Sequence, residues 1–466
     1  MLRMRLSGKT LVILLIFIAT TAARENVQCR RGITPEDILR IRQVSDPQIS
    51  PNGKRVAFVV TEPADPNQPG LPGNSDIWIV PSDGSRSPRR YAFSPKQERM
   101  PRWSPDSKYL AFLSNRGTDK KFQIYLIPTI GGEAEFITQA KEDVVKFKWL
   151  SDSSTIAYVS KDALTSEEED KLKAKNDTRV LDKCFKYQRL YEINLASKEV
   201  TLVTKQDVNI KGFNYSPDNN QVVLVNSITP KLDDVSVNSQ ITIINRDGSY
   251  WKVLSNKVHG SACWSQDGQQ IFYLAAIGKV HAKHPCHICV EGGSPNILVP
   301  NYKGTIWEID RIPESQSLLV SCQNGVQGAI SVIDLESGKI KNLKKVGRPY
   351  GGGPCWSINA DGNLIAYVDA SYDSPRDVWI MKSDGSDAKR LTNMNPQTNS
   401  LAFGIQEVIQ WTSRDGMFIE GILVKPIDYK KGQRYPLVVQ VHGGPAWAWW
   451  DGWLSYGHVW APLLAK

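Results

Sequence analysis

Cysteine and histidine are scarce: the 466 residues hold seven of the first and six of the second. The one C-x-x-C, Cys286 and Cys289, lies beside His281, His284 and His287, but it lacks the second ligand pair of a structural zinc site. A local disulfide or ordinary loop residues fit that stretch better, and Val290 after the second cysteine excludes haem attachment. The other cysteines are Cys29, Cys184, Cys263, Cys322 and Cys355; an odd count leaves the pairing open. No metal or cofactor is expected. Dense Lys/Arg blocks are also missing, so the net charge of +9 reads as a solubility feature and no nucleic-acid partner is expected. Beyond the N-terminus no apolar run is long enough to cross a membrane. Composition, 41% hydrophobic and 23% charged, carries no fibrous or disordered bias.

What is present begins with an export signal. Arg3, Arg5 and Lys9 precede the apolar run Leu11 to Ile18, and the small-residue stretch Ala19 to Ala23 follows. That order predicts a signal peptide over 1–23, cleaved after Ala23, and a secreted or periplasmic protein. The rival is an uncleaved membrane anchor, for which the run falls short of the roughly 20 residues a spanning helix needs. Residues 24–45 form a lead-in segment. There, Thr34-Pro35-Glu36-Asp37 supplies an N-cap, a first-turn proline and early acids, predicting a short amphipathic helix.

A repeat then fills 46–395. Trp103-Ser104-Pro105-Asp106 leads into Tyr109-Leu110-Ala111-Phe112, a polar turn followed by an alternating strand. The same spelling returns at Ile49-Ser50-Pro51-Asn52, Trp149-Leu150-Ser151-Asp152, Tyr215-Ser216-Pro217-Asp218, Trp264-Ser265-Gln266-Asp267 and Trp356-Ser357-Ile358-Asn359, with a degenerate copy from Ile306-Trp307. Pro and Asp suit early turn positions and Gly later ones. A lone four-stranded sheet cannot bury both faces, so copies at a period of roughly 40 to 65 residues predict a β-propeller whose aromatics pack between blades. The fold class is mainly β, with seven blades by count of anchors. Eight is the alternative, because the third interval is long and holds the charged run Glu167-Glu168-Glu169-Asp170-Lys171, itself read as solvated. Asn176-Asp177-Thr178 and Asn214-Tyr215-Ser216 match the N-glycosylation pattern, which matters only in a eukaryotic secretory pathway.

From 396 to 466 the spelling changes. Glu407 to Trp411 and Phe418 to Val424 flank Asp415-Gly416 as a hairpin. The apolar run Leu437-Val438-Val439-Gln440-Val441 reads as a strand buried on both faces and ends in His442-Gly443-Gly444-Pro445. A propeller followed by a D-G hairpin, a Y-P-L-V-V strand and H-G-G-P resembles the prolyl oligopeptidase family of serine peptidases, most closely its acylaminoacyl-peptidase and dipeptidyl-peptidase members. The resemblance covers nearly all of the chain after the signal segment. It implies that 396–466 begins an α/β-hydrolase domain, that peptides are the substrates, and that Gly443 and Gly444 offer backbone N–H groups to an oxyanion. His442 would then be a wall or support residue. Family members carry Ser, Asp and His in that order. No G-x-S-x-G occurs here, and His458 comes too early for the base. The expectation is therefore a catalytic triad that lies beyond Lys466, and a chain inactive alone. Two other functions share this architecture: a non-catalytic propeller binding a protein partner, and an esterase.

Overall fold

The computed structural model describes residues 30–64, 73–176, 178, 183–276, 282–349, 354–444, 447–455 and 459–466. The signal segment, Cys29, His281, Pro445 and His458 lie outside them. Among the described residues, seven four-stranded antiparallel sheets follow one another, each made of four consecutive strands. These are seven propeller blades. Their first strands are Gln43–Ile49, Glu98–Trp103, Val144–Trp149, Asn209–Tyr215, Val258–Trp264, Thr305–Arg311 and Trp356–Ile358, in blades 1 to 7. First strands of neighbouring blades touch, which puts them innermost around the axis. The long third interval is an excursion within blade 3, carrying the helix Ser166–Lys173 between its second and third strands. Thr165 and Glu168 cap that helix reciprocally, and Glu167 and Glu168 pair with Lys171 and Lys186 at its surface.

The repeated turn is stabilised by its own side chains. In blade 2, Ser104 Oγ donates to Asp106 Oδ1 (2.6 Å) and accepts from the Tyr109 N–H (2.9 Å). Asp106 Oδ1 also accepts from the Lys108 N–H (3.0 Å). Ser216–Asp218–Gln221 and Ser265–Asp267–Gln270 repeat the arrangement. Serine and aspartate are thus chosen to satisfy backbone donors in a tight reversal. The fourth turn residue is left-handed in six of these turns: Gly53, Gly268 and Gly362 at φ +70°, +69° and +68°, and the non-glycines Ser107, Ser153 and Asn219 at +60°, +56° and +60°. Turns also latch to one another, the Asn52 N–H donating to Ser107 Oγ (3.2 Å) and the Asp106 N–H to Ser153 Oγ (3.1 Å).

The aromatic anchors do more than pack. The indole N–H groups of Trp103, Trp149 and Trp264 donate to Gln48 O, Arg102 O and Asn214 O on the preceding blade, at 2.8, 3.1 and 2.9 Å. Tyr215 reaches Glu192 instead (2.6 Å). In two blades the anchor is not the tryptophan the spelling suggests. Trp103 pairs with Leu110; the residues at that level in blades 6 and 7 are Arg311, opposite Leu318, and Ile358, opposite Ile365. Arg311 reaches back to Gln266 of blade 5 (3.0 Å), so a guanidinium replaces the indole there.

Among the described residues no strand is exchanged to seal the ring; blade 7 meets blade 1 through side chains and through the Ala360 N–H, which donates to Pro51 O (3.1 Å). A continuous apolar core joins Val44 and Phe58 of blade 1 to Ile330 of blade 6 and Trp356, Tyr367 and Val378 of blade 7. Asn395 clasps Arg42 twice, accepting from its N–H (2.9 Å) and donating to its carbonyl (3.0 Å). The Ile49 N–H donates to Ser357 Oγ (2.8 Å), and Arg31–Gly32 pairs in parallel with Leu401–Ala402. The helix Pro35–Ile38 between these elements is one turn long, capped by Thr34 and Asp37.

Two further expectations need correction. Cys286 and Cys289 lie on a strand, Lys283–Cys289, and not in a loop. Three apart on a strand they face opposite sides. Both are free, Cys286 buried and Cys289 exposed. The run 437–441 pairs with no strand among the described residues, and Leu437 and Val441 are 75% and 82% exposed. A strand buried on both faces needs neighbours on both edges, and none of the described elements lies alongside it. The hairpin forms as read, Gln406–Thr412 against Phe418–Val424.

The turn geometry makes a graded prediction. A Cβ on Gly362 would sit 2.6 Å from Pro313 O, whereas on Gly268 its nearest neighbour is Pro217 Cδ at 3.7 Å. Gly268→Ala should cost only the left-handed penalty of about 1–2 kcal/mol. Gly362→Ala should cost more, and denaturant midpoints of the two variants check the order.

Candidate functional site

The chain after the propeller returns to the propeller face opposite the S-P-D turns. The Asp451 N–H donates to Val326 O (2.9 Å), and its carboxylate accepts from Gln327 (2.9 Å) and Gln406 (2.8 Å). The Val326 N–H in turn donates to Glu420 of the hairpin (3.1 Å). Trp453 stacks edge-on against Phe403, and the Arg348 guanidinium lies 5.1 Å from the Trp450 ring centre. Trp450, Gly452, Trp453 and Ser455 thereby roof a cavity of about 540 Å³. Its floor is the seam between blades 7 and 1, with blade 2 at one side.

The inner strands shape that floor through bulges. The ladder register shifts between Ser45 and Gln48 in blade 1 and between Arg99 and Arg102 in blade 2. At those points Asp46 and Met100 adopt φ +50° and +55°, each followed by a proline. A bulge re-aims the side chains around it. Here Arg102 meets Asp46 through both carboxylate oxygens at 3.0 Å. Burial pushes the Asp46 carboxyl above its ordinary value, and Arg102 opposes that shift.

Deeper along the axis the charge is lopsided. Lys146 Nζ donates to Lys211 O (2.7 Å), Lys148 to the Asn214 side chain, and Lys211 to Ser239 Oγ (2.8 Å). All three ammonium groups rest on neutral acceptors. Burial, with Lys148, Arg102 and Lys211 nearby, lowers Lys146 to about 8. Asn214, one of the two glycosylation matches, is committed to this layer. On the other side stands Glu308, which accepts from the Cys355 N–H (3.3 Å) and Ser321 Oγ (3.4 Å).

The residues expected to bind an oxyanion lie elsewhere. His442, Gly443 and Gly444 are exposed and line no part of the cavity. Gly444 has φ +134°, and a Cβ on Gly443 would touch nothing within 4 Å. His442 Nδ1 lies 3.1 Å from Gly443 O. Lys466, past which the resemblance puts the triad, follows the one-turn helix Ala461–Leu464 and sits beside the lead-in segment. A Cβ on Gly32 would fall 2.5 Å from Lys466 Cβ, and the neighbouring Ala465 O accepts from the Ile427 N–H (2.7 Å). Lys466 lines no part of the cavity either. The cavity residues, Asp46, Arg42, Arg99, Arg348 and Arg376 among them, were not singled out by sequence reasoning. Their only signal is that charged residues interrupt apolar alternation on inner strands. Among the described residues no cluster of His, Cys, Asp and Glu has metal-binding geometry.

Glu308 gives a pH test. Burial, the largest cause, pushes it from 4.5 to about 7. The folded protein therefore holds that proton more tightly than the unfolded chain. Ionisation opposes folding progressively above pH ~4.5, and the penalty is complete above pH ~7. Glu308→Gln should raise the melting temperature at pH 8 and change it little at pH 4.5, as read by calorimetry at both values.

No family model matches the chain. It is 25% identical over 480 residues to the uncharacterized peptidase YuxL of Bacillus subtilis, covering 92% of this chain and 68% of that protein. To dipeptidyl-peptidase 5 of Porphyromonas gingivalis it is 20% identical over 444 residues, covering 89% of this chain and 63% of the relative. Its fold is similar to that of Pyrococcus horikoshii acylaminoacyl peptidase, with a TM-score of 0.69 at 17% identity over 91% of this chain and 64% of that one. The chain thus spans about two thirds of the length of the proteins it matches. In its sequence relatives the chain is similar to peptidases, and in its propeller it is similar to the acylaminoacyl peptidase structures.

Proposed function

We propose that this chain is the substrate-access portion of an exported peptidase that cleaves short peptides by acyl transfer through a serine. The observation that carries the reading is the roofed cavity over the blade 7–blade 1 seam. It forms where the chain after the propeller meets the propeller, and about 540 Å³ suits a short peptide segment. The propeller would restrict which peptides arrive, and the cavity would hold them. Gly443 and Gly444 would supply oxyanion N–H groups once the run 437–441 is paired in a sheet. Each such donor is worth about 2.7–4 kcal/mol of transition-state stabilisation. The nucleophile is assigned to no residue up to Lys466, since no G-x-S-x-G occurs in the sequence. The peptidase names of the two sequence relatives support the substrate class.

Two measurements test the reading. A fluorophosphonate probe should leave the 466-residue chain unlabelled; a labelled serine whose replacement by alanine abolished peptide hydrolysis would overturn the assignment. Mass spectrometry of the exported protein should find its N-terminus at Arg24, and retention of residues 1–23 would contradict the cleaved signal.

A further inference from the structure

The lysines deep along the propeller axis take no part in the seam cavity. Lys146 and Lys148 stand two apart on the inner strand of blade 3, Val144–Trp149, and so share one of its faces. Both are half-buried. Each reaches across to the inner strand of blade 4, Asn209–Tyr215: Lys146 Nζ donates to Lys211 O (2.7 Å) and Lys148 Nζ to Asn214 Oδ1. The Asn214 amide donates its own N–H to Ala262 O of blade 5, which holds its oxygen toward Lys148. An ammonium carries three N–H donors. Among the described residues each of these two directs one donor at a neutral oxygen and forms no ion pair. Lys211 turns its ammonium away, to Ser239 Oγ (2.8 Å) and to Val235 O in the helix Leu232–Ser236. The charges that act on Lys146 are Lys148, Arg102 and Lys211, all of one sign. Those on Lys148 are Arg102 and, from blade 6, Asp310, with the Cys263 thiol beside them. Arg102 is held by both oxygens of Asp46, and burial raises Glu308 to about 7. Two neighbouring ammonium groups, desolvated and without a paired carboxylate, call for a counter-ion.

We propose that the propeller axis holds a small oxyanion between Lys146 and Lys148, which accepts from the remaining N–H groups of both. The site is separate from the seam cavity and does not rest on the reading of that cavity. The oxyanion has two sources, the carboxylate at a peptide end or a free inorganic ion, and both present the same charged oxygen acceptors to an ammonium.

Calorimetric titration of the 466-residue chain at low ionic strength, with sodium sulfate, with acetylglycine as its carboxylate and with neutral acetylglycine amide, tests the site. At least one anion should bind about tenfold or more tightly than the amide, the scale of one charge-assisted contact. Sulfate binding alone names a free inorganic ion as the source, and acetylglycine binding a peptide end. Lys146→Met and Lys148→Met each remove one ammonium while keeping its bulk, and each should weaken binding about tenfold. Cooperative melting of both variants shows that they fold. A second readout needs no variant. Burial and its cationic neighbours lower Lys146 to about 8, so at pH 8 it is partly deprotonated. A bound anion favours the ammonium, so binding should take up as much as about half a proton at pH 8 and almost none at pH 6, measured in a pH-stat with sulfate, which does not titrate there. Binding of neither anion, or binding as tight in both variants as in the unaltered chain, would overturn the proposal. Binding without proton uptake at pH 8 would overturn the part given to Lys146.

Discussion

The ring depends on how its last blade is held to its first. All seven blades are complete within themselves, so no shared strand carries the closing strain. Asn395 gripping both backbone groups of Arg42, Ser357 capping the Ile49 N–H, and an apolar core spanning blades 6, 7 and 1 perform that task. Such a clasp is specific in geometry yet modest in energy, since each neutral hydrogen bond contributes only about 0.5–1.5 kcal/mol net. Most of the closure therefore comes from buried apolar area.

The same seam forms the cavity. Residues 43–46 follow the clasped Arg42 directly, and Ala370 and Arg376 belong to blade 7, just before the Asn395 that holds it. Inner-strand bulges recur in blades 1 to 6, and at Asp46 and Met100 they bring left-handed non-glycine backbone to this wall. Strained residues of this kind persist where surrounding structure over-determines them. The roof from Trp450 to Ser455 adds a second tie, through Asp451, between the chain after the propeller and blade 6. Closure of the ring and the shape of the cavity are consequences of one junction.

Much of the fold was legible because its turns carry their own chemistry. A serine that satisfies a backbone donor and an aspartate two residues on leave a recognisable spelling, and the aromatic before them marks the blade edge. Legibility failed where a different group does the same work. Arg311 stands at the anchor level in blade 6, and Ile358 does so in blade 7, so the nearby Trp307 and Trp356 misled by identity alone. Cys286 and Cys289 looked like a pair, but their strand turns them apart. The H-G-G-P turn was readable as a motif, whereas the cavity was not. Arg42, Arg99 and Arg376 converge from three blades, and nothing in their spacing announces that. The run 437–441 has the composition of a central strand, but composition does not supply the edges it must pair with.

The account is tested most directly by native-state hydrogen exchange on Asn395→Ala beside the unaltered chain. If a side-chain clasp holds the ring, exchange should accelerate at Gln43–Ile49 and Leu364–Ser371, on the two sides of the seam, while blades 3 to 5 keep their protection. Unchanged exchange at the seam, or equal acceleration in every blade, would contradict it.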